Sequence, residues 1–432
     1  MSKVFYRSPV KTYPVISHGR GVFLWDTEGR EYLDGSSGAL VVNIGHGRTE
    51  VAEAMAEQAS RVAFAHTARF TSEAQERLGE LIARRLEPER YFTYLVSGGG
   101  EATETAIKLA RQYHLERGKT SKFKVMARWA SYHGNTLGAL GASGHLARRR
   151  PYAPLLADQA FVHFEGAIPH QADSSCLCLE HLEARIQQEN PDTVSALILE
   201  VVGGSALSGF VPHPGYLKGV EQLCRRYDIL FIVDEVMTGM GRTGAWWAHR
   251  AEDVRPDMMT LAKGLASGYS PLGAVVAHET VWDAIRQGSG SFAHGFTFSG
   301  NPVSAAAGVK VMEIMESEDL LRRGQEQGRV LAQELERLKE QSPLIEGVRG
   351  RGLMQGLVLK SVPGRAGAVA QQLGDDAFQH GLIIYPGSGS SHTTEGDHVL
   401  VAPPLTVSRD EMTELCERLA ASLSRVQERL SM

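Results

Sequence analysis

The sequence predicts an α/β protein: a large domain with a mostly parallel central sheet flanked by helices, and a smaller α+β domain beside it. Three observations carry this reading. The chain has 432 residues, enough for two or three folding units at roughly 150 residues each. Between about Phe92 and Ala277, short apolar segments alternate with amphipathic ones. Those apolar segments are continuous, as in Ile229-Leu230-Phe231-Ile232-Val233, which suits strands covered on both faces.

In chain order, residues 1–50 hold two strand-like pieces, Gly21–Asp26 and Glu31–Asp34, set apart by glycines. So short a stretch buries no core of its own. Residues 1–65 are therefore expected to join residues 319–432 as the smaller domain, leaving 66–318 as the large one. In the large domain Tyr91–Val96 predicts a strand and Glu101–Glu116 a helix, with Ala102, Ala106, Leu109, Ala110 and Tyr113 on one face. Strands are predicted over Lys122–Ala127, Val194–Leu199, Ile229–Val233, Met258–Leu261 and Gly273–Ala277, and helices over Pro214–Tyr227 and Val303–Glu316. The C-terminal part predicts helices over Asp319–Gln341, Ala366–His380 and Ser408–Gln427. Its strands are Leu344–Val348, Leu353–Leu359, Leu382–Tyr385 and His398–Ala402.

Composition narrows the function classes. Apolar residues make up 43% and charged residues 22%, which speaks against disorder, coiled coil and collagen. Lysine and arginine number 45 against 50 acidic residues, a net charge of −5, too even for a nucleic-acid or anionic-membrane surface. The basic run Arg148-Arg149-Arg150 reads as a solvated loop. Apolar runs are about a strand long, far short of the roughly 20 residues that cross a bilayer, and Met1–Pro9 has no apolar signal region. Four cysteines make no disulfide framework. Cys176 and Cys178 lack a second ligand pair, so no metal is expected. A soluble, cytoplasmic protein follows as the expectation, with no nucleic-acid or membrane partner.

Three segments point to chemistry. Ser97-Gly98-Gly99-Gly100-Glu101 lies between a predicted strand and helix. Glycines there let backbone N–H groups approach an anion, aided by the helix N-terminus, although the same run equally suits a tight strand–helix connection. It matches neither the nucleoside-triphosphate loop nor the dinucleotide fingerprint. Asp234 and Glu235 end a buried strand, where ligands bind in open α/β sheets. Asp234 could instead cap the following turn. Lys263 closes the apolar segment Met258–Ala262. A buried lysine loses basicity and can attack a carbonyl, whereas a single lysine at a loop edge more often snorkels to water. Together, a lysine, a carboxylate and an anion cradle on strand ends meet the demands of pyridoxal phosphate: an amine for the aldehyde, an acid for the pyridine nitrogen and donors for the phosphate. Tyr132-His133-Gly134 adds an aromatic ring for one cofactor face, and Val236 could hold the other.

These residues resemble the class III aminotransferases across nearly the whole chain. The resemblance runs through Tyr32-Leu33-Asp34-Gly35, Asn43-Ile44-Gly45-His46, Gly99-Gly100-Glu101-Ala102 and Tyr132-His133-Gly134. It continues through Asp234–Gly244, Leu261-Ala262-Lys263-Gly264, Thr297–Pro302 and Ala402-Pro403-Pro404-Leu405. It implies fold type I, pyridoxal 5′-phosphate and a ping-pong transfer of an amino group from an amine or ω-amino acid to a keto acid. Lys263 would carry the Schiff base and move a proton, and Asp234 would pair with the pyridinium. Gly99 and Gly100 would hold the phosphate, joined by Thr297 of the neighbouring subunit. Tyr132, with His133 beside it, and Val236 would flank the ring. A homodimer with shared sites is implied, or a tetramer of two such dimers. Arg242 and Glu200 read as a salt bridge or a strand-end hydrogen bond as readily as catalytic groups.

The chain also departs from that family. Members using glutamate and 2-oxoglutarate carry an arginine two residues before Ala-Pro-Pro-Leu, where this chain has Leu400. Their pairing glutamate falls at Ser205, followed by Ala206. Losing both is coherent, because either charge alone would be costly to bury, and pyruvate is therefore the expected acceptor. Pyruvate-using members often place a tryptophan where Leu40 stands. Their mobile arginine has no counterpart in Gly387–Glu395, which offers only His392. Leu40, Ala206 and His392 are thus the candidate substrate contacts. Decarboxylase, epimerase, aminomutase and phospho-lyase chemistry would use the same cofactor residues. A non-catalytic scaffold would need neither Lys263 nor Asp234.

Overall fold

The computed structural model describes residues 3–166, 177–362, 367–389 and 396–431. Three short strands open the chain: β1 (Ile16–Arg20), β2 (Phe23–Asp26) and β3 (Glu31–Asp34), each antiparallel to the next. Seven more form the central sheet: β4 (Tyr91–Val96), β5 (Lys124–Arg128), β6 (Phe161–Phe164), β7 (Val194–Glu200), β8 (Leu230–Asp234), β9 (Met258–Leu261) and β10 (Gly273–His278). Their order is β4-β10-β9-β8-β7-β5-β6. Only β10 runs against its neighbours. Strands β4, β5, β6, β7, β8 and β9 therefore point the same way, and their carboxyl ends share one edge of the sheet.

The continuous apolar strands behave as their sequences predict. Every residue of β7, β8, β9 and β10 is buried. The helix Gly99–Glu116 packs on β9 and β10 through Ala102, Ala106, Leu109 and Ala110, small residues that allow close approach to the sheet. Strand β5 starts two residues later than expected because Lys122 is otherwise engaged. Its buried ammonium donates to the carbonyls of Pro191, Val194 and Tyr227 at 2.9–3.0 Å, tying β7 to the turn before β8.

A third sheet, ordered β11 (Ile345–Arg351), β12 (Met354–Leu359), β15 (Asp397–Val401) and β14 (Tyr385–Ser388), is antiparallel throughout. The single strand expected over Leu382–Tyr385 is divided at Ile384. Its first part, β13 (Leu382–Ile383), joins the N-terminal sheet in parallel with β3, while β14 joins the C-terminal one. Further hydrogen bonds tie the two chain ends. Leu33 N–H donates to Gly381 O (2.8 Å), Ala402 N–H to Gly35 O (2.7 Å) and Leu405 N–H to Asn43 O (2.8 Å). The helix Thr49–Arg61 packs against Pro302–Ser317. Among the described residues, no helix is long and apolar enough to cross a membrane.

Candidate active site

A cavity of about 520 Å³ opens beyond the carboxyl ends of β4, β7, β8 and β9. On one side β4 gives way to Ser97 and the glycine run that starts the helix Gly99–Glu116. No side chain caps this helix at Gly98. The first intrahelical donor is the N–H of Ala102, bonded to Gly98 O at 2.9 Å. The N–H groups of Gly99, Gly100 and Glu101 are thus left at the positive end of the helix dipole. Side chains would crowd them. A Cβ on Gly99 would meet Val236 Cγ1 at 3.1 Å, and one on Gly134, whose φ is +142°, would lie 2.9 Å from Gly100 Cα.

Strand β8 delivers Asp234 to the cavity floor, 4% exposed. Of the two sequence readings of this residue, the turn cap is present in the structure. Oδ1 accepts the Val236 N–H at 3.0 Å and so caps the turn, while Oδ2 lies 2.7 Å from His133 Nδ1. His133 Nε2 is buried and has no hydrogen-bond partner among the described residues. Glu235, next along the strand, faces away: it accepts the His249 N–H at 2.8 Å and the Thr238 hydroxyl at 2.5 Å.

Lys263 follows β9 in a left-handed conformation (φ +46°), uncommon for a residue with a side chain. Gly264 behind it leaves room for Asn43, whose Nδ2 would lie 2.4 Å from a Cβ there. The Lys263 amine lines the cavity and, among the described residues, has no hydrogen bond or ion pair. Burial pushes its pKa down to about 8, against the negative charges of Asp234 and Glu200, with the positive charges of Arg148 and Arg242 lowering it further. A free amine is therefore accessible near neutral pH.

Glu200, at the end of β7, accepts the Gly204 N–H (2.9 Å) and the Tyr132 N–H (3.3 Å). Arg128 Nη2 lies 4.0 Å from its Oε2, and burial raises its pKa. Arg242, 1% exposed, forms no ion pair with a carboxylate among the described residues. It donates to Leu353 O (3.1 Å), Pro403 O (2.5 Å), Ser37 Oγ (3.0 Å) and Asn43 Oδ1 (2.6 Å), binding both chain ends behind the lysine.

Tyr132, His133 and Val236 line the cavity with Gly99, Gly100, Asp234 and Lys263. Thr297 is exposed and does not line it. Leu40 and Ala206 are buried away from it. Leu40 packs with Leu400 against Val202 and Met237, which do reach the cavity. His392 lies outside the described residues. Thr136 and Val202 line the cavity without having been singled out in the sequence. Thr136 sits in a glycine-rich stretch that could have flagged it, whereas Val202 carries no signal. The basic run is not a solvated loop. Arg149 Nη1 donates to Leu140 O (2.9 Å), Gly141 O (2.6 Å) and Ser143 O (3.0 Å), and the Arg148 guanidinium stacks 4.3 Å from the Tyr132 ring centroid. No cluster of side chains able to hold a metal occurs among the described residues.

A buried lysine, a buried carboxylate and free helix N–H groups at the carboxyl edge of such a sheet are the groups a pyridoxal-phosphate site requires. The family model for class III aminotransferases matches residues 5–423, and the chain belongs to that family. It is 37% identical to the uncharacterized aminotransferase YodT of Bacillus subtilis, over 97% of this chain and 96% of that one. Its fold is similar to that of a transaminase from the marine bacterium Virgibacillus (TM-score 0.92, 30% identity, covering 99% and 98% of the two chains). It is also similar to an amine transaminase from an uncultivated Pseudomonas species in its cofactor-bound form (TM-score 0.90, 30% identity, 98% and 99% covered). Class III aminotransferases use pyridoxal 5′-phosphate. The donor set fits it: uncapped helix N–H groups for the phosphate, a buried carboxylate for the ring nitrogen and an unpaired amine for the aldehyde.

Proposed function

We propose that this transaminase takes its amino group from an amine or ω-amino acid and gives it to a keto acid, pyruvate in preference to 2-oxoglutarate, in a ping-pong cycle. The observation that carries the reading is an unpaired lysine of lowered basicity beside Asp234 in one cavity. Buried Leu400 and Ser205 add to it, standing where glutamate-using members keep charged groups. When bound, the cofactor supplies an electron sink for the substrate carbon that bears nitrogen. Asp234, oriented by His133 and the Val236 N–H, keeps the ring nitrogen protonated. Lys263 Nζ anchors the aldehyde and, once freed by the substrate, carries a proton at that carbon. The N–H groups of Gly99 and Gly100 hold the phosphate, and Tyr132 and Val236 confine the ring. Thr297 serves the site of a neighbouring subunit in a homodimer, or in a tetramer of two dimers. We further assign residues 1–65 and 319–432 to one smaller domain around the β3–β13 pairing, with 66–318 as the large one.

The test is to mix the yellow holoenzyme with single amines, without acceptor, and follow its spectrum. Conversion of the cofactor to its amine form, reversed by pyruvate and more weakly by 2-oxoglutarate, is expected. If no amine converts it, transamination gives way to another reaction on the same scaffold. Borohydride reduction followed by peptide mass spectrometry should find the cofactor on Lys263, and an adduct elsewhere overturns the site.

A further inference from the structure

Resting on that function, the site has no evident partner for a substrate carboxylate among the described residues, because Leu400 and Ser205 are buried and uncharged. Two guanidiniums lie close enough to Lys263 for their charge to bear on its amine, Arg148 and Arg242. Arg242 is buried and committed to four oxygen acceptors. Arg128 is also buried and faces Glu200. Arg148 differs from both. It is only partly buried and, among the described residues, its guanidinium meets no carboxylate and no carbonyl.

What holds Arg148 is the ring of Tyr132, a wall of the cavity, 4.3 Å from its guanidinium carbon. Stacking uses the face of the guanidinium and leaves its edge, with paired N–H donors, free for the fork that matches a carboxylate. The backbone beneath is fixed. The N–H groups of Arg148 and Arg149 both donate to His145 O at 3.0–3.1 Å. Arg149 in turn clamps the three carbonyls at the end of the preceding helix, Leu137–Ala142. A cation without an ion-pair partner among the described residues is thus held against a ring that borders the proposed cofactor pocket, just outside the cavity's own lining.

We propose that Arg148 is the specificity-determining residue for carboxylated substrates. It takes the carboxylate of the amino acid in one half of the cycle and that of the keto acid in the other. Substrates without a carboxylate bypass it, so amines and amino acids share the cavity with no arginine swinging aside.

The test compares wild-type holoenzyme with Arg148→Gln and Arg148→Lys, using 4-aminobutanoate and butylamine, which differ at the carboxylate, with pyruvate as acceptor. Binding of butanoate, which cannot react, is measured by calorimetry on the same proteins. Arg148→Gln should raise the KM for 4-aminobutanoate and pyruvate, and the Kd for butanoate, about ten- to hundredfold, the range for losing hydrogen bonds to a charged group. The KM for butylamine should change by less than about twofold, and Arg148→Lys should recover part of the loss, as a point charge without the fork. Equal losses for both amines, or a butanoate Kd that is absent in the wild type or unchanged in Arg148→Gln, would overturn the assignment. A wild type that retains cofactor and binds butanoate but transaminates no amine would refute the function while leaving the anchor standing.

Discussion

The amine of Lys263 enters the cavity from a left-handed backbone and meets no hydrogen-bonding or ion-pair partner among the described residues, so its charge is set by its surroundings. Burial lowers its pKa to about 8 from an ordinary 10.5. The protonated form therefore costs the native state stability below about pH 8, and that cost fades as pH climbs from about 8 towards 10.5. The rate at which cofactor-free protein recaptures pyridoxal phosphate should rise with pH around a midpoint near 8. Asp234 favours the ammonium, so Asp234→Asn should move that midpoint lower, and stopped-flow absorbance would reveal a contrary shift. Asp234, Lys263, Gly99 and Gly100 were legible in the sequence because each ends or follows a continuous apolar strand. Arg148 was not. A triplet of arginines signals solvent by itself, and the Tyr132 ring that meets its first residue comes from before the helix Leu137–Ala142.

Individual elements differ in how far they could be read. Strands β3, β4 and β9 occupy the expected residues because their side chains alone decide burial. Strand β1 was missed because it lies at a sheet edge with four of its five residues exposed. Strand β6 is also an edge, only four residues long. The helix Thr49–Arg61 buries Val51 alone, too little for a periodic signal. The break at Ile384 between β13 and β14 is a change of sheet, and a run of apolar residues carries no sign of which sheet each joins. The anion cradle gives a prediction at this scale. A methyl on Gly100 meets nothing closer than Thr136 Cγ2 at 3.5 Å. Gly100→Ala should therefore keep the thermal midpoint of the cofactor-free protein while weakening cofactor binding about tenfold or more, as expected for disturbing hydrogen bonds to a charged group. Gly134→Ala would press on Gly100 Cα at 2.9 Å with φ at +142°. It should destabilise even the empty protein by about 1–3 kcal/mol, and calorimetry would separate the two effects.

For the whole molecule, the exposed Thr297 outside the chain's own cavity gives the shared-site proposal a sharp test. Lys263→Ala and Thr297→Ala homodimers should be inactive and weakened in cofactor binding, respectively. Subunits exchanged between them should yield mixed dimers with one site of wild-type composition, restoring tight cofactor binding at half the sites. No recovery after verified exchange would mean that Thr297 acts within its own chain or not at all. The pairing of β3 with β13, reinforced from Gly35 to Ala402 and from Asn43 to Leu405, has a consequence in time. As the nascent chain leaves the ribosome, strand β3 waits with an unpaired edge until residues 381–405 emerge, on the order of tens of seconds later at usual translation speeds. Arg242 gains its Pro403 acceptor only then, so the packing behind the lysine is completed by the last part of the chain to be made.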